Sequence, residues 1–257
     1  MSIGLALGSG GARGLSAIGV LKVLDQNNIQ ISEVAASSMG AIVGAYYCAH
    51  GEIYSLEKKV LAMNKLEWLK LIDFNKSSIS LVKGKKVERL IRTTIGVEIF
   101  SDLKKPLTIV ATDLIGAKEV VFKRGNLIDA IMASTAIPGV FPPRKVGKIL
   151  LADGGIINPT PVHKLQTTSK IAVDLTIPIM KADKLDALNA LSLAYSIIKR
   201  QEERLKEKLH KDKNVIVIEP QTGLELNGLL KFQEAKRFIR AGEVAAKIEL
   251  KRLKKLK

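Results

Sequence analysis

Four short stretches of the chain carry residue types that could do chemistry together. GSGGARG, residues 8–14, follows an apolar run and precedes a helical pattern. Consecutive glycines at a helix start offer backbone N–H groups to negative charge, either a bound phosphate or an oxyanion formed during acyl transfer. The GxGxxG spacing and the GK[ST] ending of nucleotide loops are missing, which favours the oxyanion use. A tight turn needing positive φ would call for the same glycines. AASSMG, residues 35–40, puts Ser38 in A-x-S-x-G, one residue from the G-x-S-x-G elbow that presents a nucleophilic serine on a strand-to-helix turn. Ala36 stands at the first glycine of that pattern and Gly40 keeps the second. A serine that merely caps a helix reads the same way locally, so both readings stay open at this point.

A nucleophilic serine needs a base, and the chain has three histidines. His50 lies at the far end of the helix expected after Ser38, about 18 Å away at the rise of an α-helix. His210 sits in the charged run EKLHKDK, and His163 follows the NPTPV turn as a surface or supporting residue. None suits a Ser-His-Asp triad. Asp153, in ADGG at the end of an apolar run, is the alternative, because α/β active sites gather at strand ends. A carboxylate withdrawn from water accepts a proton more readily and could take the serine proton directly. As an organiser of the Gly154–Gly155 turn it would look the same, and Asp113 and Asp174 at other strand ends share that reading.

The order of the blocks resembles the patatin-like phospholipase family of lipid acyl hydrolases. Its glycine-rich loop, serine elbow, A-S-x-A-x-P loop and D-G-[GA] block have counterparts in GSGGARG, ASSMG (36–40), ASTAIP (133–138) and DGG (153–155). ATDL (111–114) and GGIINPTPV (154–162) look like the bacterial branch related to the catalytic domain of neuropathy target esterase. The resemblance implies Ser38 as nucleophile, Asp153 as its base, and the N–H groups of Gly10, Gly11 and Ala12 as an oxyanion hole. Arg13 and Gly40 would support them. It also implies a lipid acyl ester as substrate, no metal or organic cofactor, and a three-layer α/β/α sandwich with a mainly parallel central sheet. Ala36 and Ser9 depart from the family's usual glycines, and neither change removes a reacting group. A second reading, an adaptor or regulatory protein that keeps the fold with weak catalysis, is open, as is transacylation in place of hydrolysis.

The elements that must position these residues alternate as strand, loop and helix, which predicts a parallel sheet covered by helices. Strands are expected at 3–7, 33–37, 106–114, 119–122, 147–153, 171–175 and 215–220. Helices are expected at 12–25, 38–50, 127–133, 185–210 and from 228 onward. Residues 52–95 are amphipathic, with a Ser-rich break at 76–80, and form a candidate helical cap. The whole chain, 1–257, reads as one α/β domain, with no linker or repeat.

A net charge of +16 from 41 basic and 25 acidic residues attracts polyanions. Only 4% of residues are aromatic, too few for a base-stacking platform, and no nucleic-acid motif is present, so an anionic membrane surface is the expected partner rather than nucleic acid. The basic C-terminal helix, 229–257, interleaves lysines with Ile248, Leu250, Leu253 and Leu256, a pattern of interfacial attachment or of a plain solvated helix. A lone cysteine, Cys48, excludes a disulfide framework and thiolate metal clusters and fits a buried small hydrophobe. The start of the chain has no basic region before its short apolar run. The expected location is cytoplasmic, with room for peripheral attachment to the inner face of the membrane. Oligomeric state is not legible.

Overall fold

The central strands are buried on both faces, and the alternation of their side chains between two cores explains the layers of the computed structural model, which describes residues 2–73, 80, 82–176, 205–223 and 231–256. In β1 (Ile3–Leu7), β2 (Ile31–Ser37), β7 (Ser169–Val173) and β8 (Val215–Ile218), one set of side chains enters a large core: Leu5, Leu7, Val34, Ile171, Ile218. The opposite set is smaller, with Ala6, Ala35 and Ala172 packing on Leu165 and Leu209. Successive side chains of a strand point to opposite faces, so large residues build the thick helical layer and alanines admit a close, thin one.

The remaining strands are β3 (Leu107–Asp113), β4 (Lys118–Phe122), β5 (Arg144–Val146) and β6 (Ile149–Ala152). The sheet order is β5-β6-β3-β2-β1-β7-β8, with β4 also paired to β3. Pairing is parallel from β3 through β2, β1 and β7 to β8, and antiparallel for β3–β4, β3–β6 and β5–β6. The sandwich is thus a mixed sheet with a parallel centre. Crossovers β1→β2 and β2→β3 advance in one direction and place helices α1 (Ser16–Gln26) and α2 (Met39–His50) on one face. The β7→β8 crossover advances the other way, which puts Leu209 on the other face. Most of the helix expected at 185–210 lies outside the described residues, as does most of the Ser-rich break at 76–80; residues 205–211 are helical.

Expected and observed elements differ mainly at their ends. The helix expected from Ala12 begins as a 3-10 turn, Gly11–Leu15, before α1. β2 starts two residues early because Ile31 is buried between strands although Ser32 and Glu33 look polar. The described residues of 52–95 hold three helices, α3 (Tyr54–Ala62), α4 (Lys65–Lys70) and α5 (Lys85–Ile95), while α6 (Leu127–Ser134) packs on β3. Helix α7 (Ala235–Ile248) lies across α1 at a glycine contact on both sides. A Cβ on Gly19 would collide with the Ile239 carbonyl oxygen, and one on Gly242 with that of Ser16. Lys22 clasps the crossing, with Nζ 2.6 Å from Glu57 Oε1 and 2.5 Å from Glu243 Oε1.

The C-terminal basic helix is not the continuous amphipathic rod its spacing predicts. It breaks at Glu249, Leu253 is fully buried in the core, and Leu250 and Leu256 pack against that core. The three leucines thus turn onto the core, while Ile248 remains 75% exposed, so the tail offers lysines and one apolar residue of the pattern to water. Among the described residues no helix is long and apolar enough to cross a membrane.

Cys48 is fully buried, and burial pushes its thiol up to about 12. The thiolate is the reactive form. Native protein at pH 8 is therefore expected to stay unmodified by a thiol-directed disulfide reagent and to react with one equivalent on denaturation, as absorbance of the released thiol would record.

Candidate active site

The ladder of β3 explains how residues 115 positions apart come together. Along one edge, β3 pairs with β2 until Ser37 opposes Val110, and beyond that point it pairs with β6, where Ala152 opposes Thr112 and Leu151 opposes Asp113. β4 occupies the other edge over 109–113. Strands β2 and β6 thus run toward each other along the same edge, and Ser38 and Asp153 are the next residue of each. The Ser38 hydroxyl donates to Asp153 Oδ2 at 2.6 Å, with Ser38 3% and Asp153 6% exposed.

Ser38 holds φ 55° and ψ −126°, a backbone conformation that non-glycine residues rarely adopt. Three contacts hold it. Its N–H donates to Ser134 Oγ at 2.8 Å, its carbonyl accepts from Ala41 N–H at 2.8 Å to open α2, and Gly40 fits against the Leu7 carbonyl, where a Cβ would collide. Ala36 sits in a regular parallel ladder between Leu7 and Ile109, so the missing first glycine of the elbow costs no backbone geometry. Its small side chain faces Gly44 of α2, which needs a small neighbour.

Asp153 is oriented from both sides. Oδ1 accepts from Gly155 N–H at 2.7 Å, its backbone N–H donates to the Ala136 carbonyl at 3.0 Å, and Thr112 Oγ1 donates to its carbonyl at 2.7 Å. The 133–138 loop therefore holds both partners, Ser38 through Ser134 and Asp153 through Ala136. The resemblance singled out this block but not its role, because a serine ending a helix has no readable partner until the strands are placed. Further out, Asn158 donates to the Gly154 carbonyl from its backbone and to Glu119 Oε1 from its side chain at 2.5 Å, which ties the Asp153 turn to β4.

The glycine loop lies beside this pair. Gly8 N–H donates to the Val173 carbonyl, and Ser9 N–H to the Pro159 carbonyl at 2.8 Å, which joins the loop to the NPTPV segment. The Ser9 side chain fills space above Gly155, where a Cβ would collide with it, and so accounts for a serine in place of glycine. Gly11 takes φ 55° and starts the 3-10 turn, while Arg13 N–H closes it on the Gly10 carbonyl. The first N–H groups of such a turn have no acceptor within it, which leaves those of Gly10, Gly11 and Ala12 without an intra-turn bond. Gly14 abuts Met39, the first residue of α2, which sets the loop against the elbow. Arg13 is buried and donates through Nη1 to the Leu175 carbonyl at 3.3 Å, a structural brace beneath the loop.

The histidines stay apart from Ser38. His50 Nε2 meets the Ile95 carbonyl at 3.0 Å at the end of α2, and His210 lies 3.6 Å from Glu219. His163 is near Asn158 and Glu119, and burial together with neighbouring Lys164 holds its imidazole below the usual value. Asp113 accepts from the N–H groups of Ile115 and Gly116, and Asp174 from the hydroxyls of Thr160 and Thr176, so both organise turns.

Residues 5–165 match the family model described as patatin-like phospholipase. The chain belongs to the patatin-like phospholipase family. Among relatives, an uncharacterized NTE family protein of Mycobacterium bovis is 40% identical over 177 residues, 69% of this chain and 48% of that protein. Neuropathy target esterase sws of Drosophila melanogaster is 33% identical over 183 residues, 68% of this chain and 13% of its own length. The chain thus spans about half the length of the mycobacterial relative it matches. VipD from Legionella pneumophila superposes with a TM-score of 0.64 at 14% identity, over 97% of this chain and 66% of VipD. The type III effector protein ExoU superposes at 0.54 and 13% identity, over 98% of this chain and 53% of ExoU. The patatin fold, with its mixed α/β sheet, is shared at these low identities.

Proposed function

We propose that this protein is a serine esterase that hydrolyses lipid acyl esters, phospholipids or lysophospholipids, through a Ser38–Asp153 dyad. One observation carries the reading: the strained Ser38 donates its hydroxyl proton to a buried carboxylate at 2.6 Å, at the carboxyl end of a parallel sheet. Family membership supports the lipid substrate class.

In this reading Ser38 Oγ attacks the ester carbonyl carbon while its proton passes to Asp153 Oδ2. The C=O π pair moves to oxygen, and the N–H groups of Gly10, Gly11 and Ala12 hold the resulting oxyanion. Collapse breaks the bond to the alcohol, which takes the proton from Asp153 and departs. Water then attacks the acyl-enzyme, giving its proton to Asp153, and the second collapse releases the fatty acid as the proton returns to Ser38 Oγ. Because Gly155 N–H occupies Oδ1, Oδ2 is left for the proton throughout.

A fluorophosphonate tests the nucleophile directly, since Oγ attack at phosphorus expels fluoride and leaves a stable adduct. Peptide mass spectrometry should place the adduct on Ser38, with labelling abolished in Ser38→Ala. An adduct on another residue, or none at all, would sink the proposal.

A further inference from the structure

Helix α4 is unusual in burying none of its residues while carrying two leucines. Leu66 is 68% and Leu69 48% exposed, and Leu61 and Ile72 beside them are also exposed. A six-residue helix is marginal in water by itself. Two devices keep this one formed. Asn64 and Glu67 make a reciprocal capping box, and the Trp68 ring stacks on Phe232 at 4.8 Å between centroids.

That stacking fixes where the leucines stand. The turn carrying Phe232 touches the 3-10 turn Gly11–Leu15, which continues the glycine loop. The chain leaving the α4 region returns to the site at Val82, whose N–H donates to the Val140 carbonyl just after the 133–138 loop. A second apolar tip, Leu114 and Ile115, projects from the β3–β4 turn, with Ile115 81% exposed. Since β3 is parallel to β2, this turn lies at the same end of the sheet as Ser38.

Charge selects the occupant. Between residues 58 and 70 there are four lysines, Lys58, Lys59, Lys65 and Lys70, and one acid, Glu67, which the capping box engages. A second copy docked on the same face would set lysines against lysines. Exposed leucines among lysines match an anionic lipid interface, where apolar side chains enter the acyl boundary and ammonium groups meet phosphates.

We infer that α4 and the β3–β4 turn form the surface by which this protein docks on an anionic lipid bilayer. The inference deepens the lipid-hydrolase reading, on which it rests, by naming the face that meets the substrate's own membrane, and it assigns to α4 an attachment for which the tail's leucines, turned onto the core, are not available.

The test separates docking from catalysis by using Ser38→Ala protein, which consumes no lipid. It is floated with vesicles of phosphatidylcholine alone or of phosphatidylcholine mixed with phosphatidylglycerol. At least about tenfold preference for the mixed vesicles is expected, weakening as salt screens the lysines. Leu66→Asp with Leu69→Asp should lower binding about tenfold, with the thermal midpoint little changed because neither side chain belongs to the buried core. Equal binding to both vesicles, or undiminished binding of the double variant, would overturn the inference. So would a comparable loss from Lys254→Ser with Lys255→Ser, which would make the tail the anchor. A dimer that sedimentation shows dissolving in the leucine variant would assign the face to a second copy. Failure of the esterase reading would appear only in turnover and labelling, which this assay does not use.

Discussion

Ser38→Ala and Asp153→Asn should each lower kcat/KM for a soluble chromogenic ester by about 10⁴-fold or more, and the double variant should fall no further. In the proposed mechanism the two residues act as one unit, since a hydroxyl without a proton acceptor and an acceptor without a nucleophile are equally idle. Asparagine at 153 is the more informative change. Its carbonyl oxygen can still accept from Gly155 N–H, so the turn survives. Its amide NH₂ faces the serine hydroxyl as a donor and can take no proton. Melting temperature should therefore stay near that of the parent while turnover disappears. Single variants within tenfold of the parent, or losses that multiply in the double variant, would mean that Ser38 and Asp153 do not form a dyad.

The second large effect comes from a residue with no side chain. Gly154→Ala should reduce kcat about 10²-fold with KM little changed. A Cβ at 154 would collide with the Val110 carbonyl oxygen and stand 2.6 Å from Ser37 Oγ. Both obstacles belong to the paired strands β2 and β3 and cannot yield cheaply. The Asp153 turn must move off β3 instead, and Asp153 moves with it. Displacements of about 1 Å at a reacting group cost about 10²-fold. Steady-state kinetics resolve the two parameters; a variant that keeps kcat would show that the turn tolerates displacement and that the close approach is incidental.

Much of the fold could be read from sequence because local patterns determine it. The Val/Ile-rich strands, the helix after Ser38 and the turn at Asp153 all stand within a few residues of their expected places. Strand order was not legible. Nothing in ILLA says that β6 will extend the β3 edge where β2 stops, because that pairing is non-local and only two residues long. For the same reason Ser134 gave no sign of its grip on the Ser38 N–H. Gly19 and Gly242 read as ordinary helix glycines, since the backbone crossing that requires them joins segments over 200 positions apart. The packing of the tail was not legible either: its spacing suits an interfacial helix and a solvated one alike, and periodicity cannot tell which side of a helix a core occupies.

The α1–α7 crossing has a consequence for how the protein is made. Helix α1 leads out of the glycine loop, yet the surface it must bury is supplied by Phe238, Ile239 and Ala246, which leave the ribosome over 200 residues after it. At about 5–20 residues per second, α1 waits roughly 10–40 s for its cover. Until residues 169–173 follow, β1 also lacks β7, so for the first part of that interval the nascent chain presents an open strand edge beside a bare apolar helix. Ser38 and Asp153 are thus both synthesised before the helix that covers α1, which leaves the nascent chain still without residues 235–248, rather than the folded domain, as the species most in need of a chaperone.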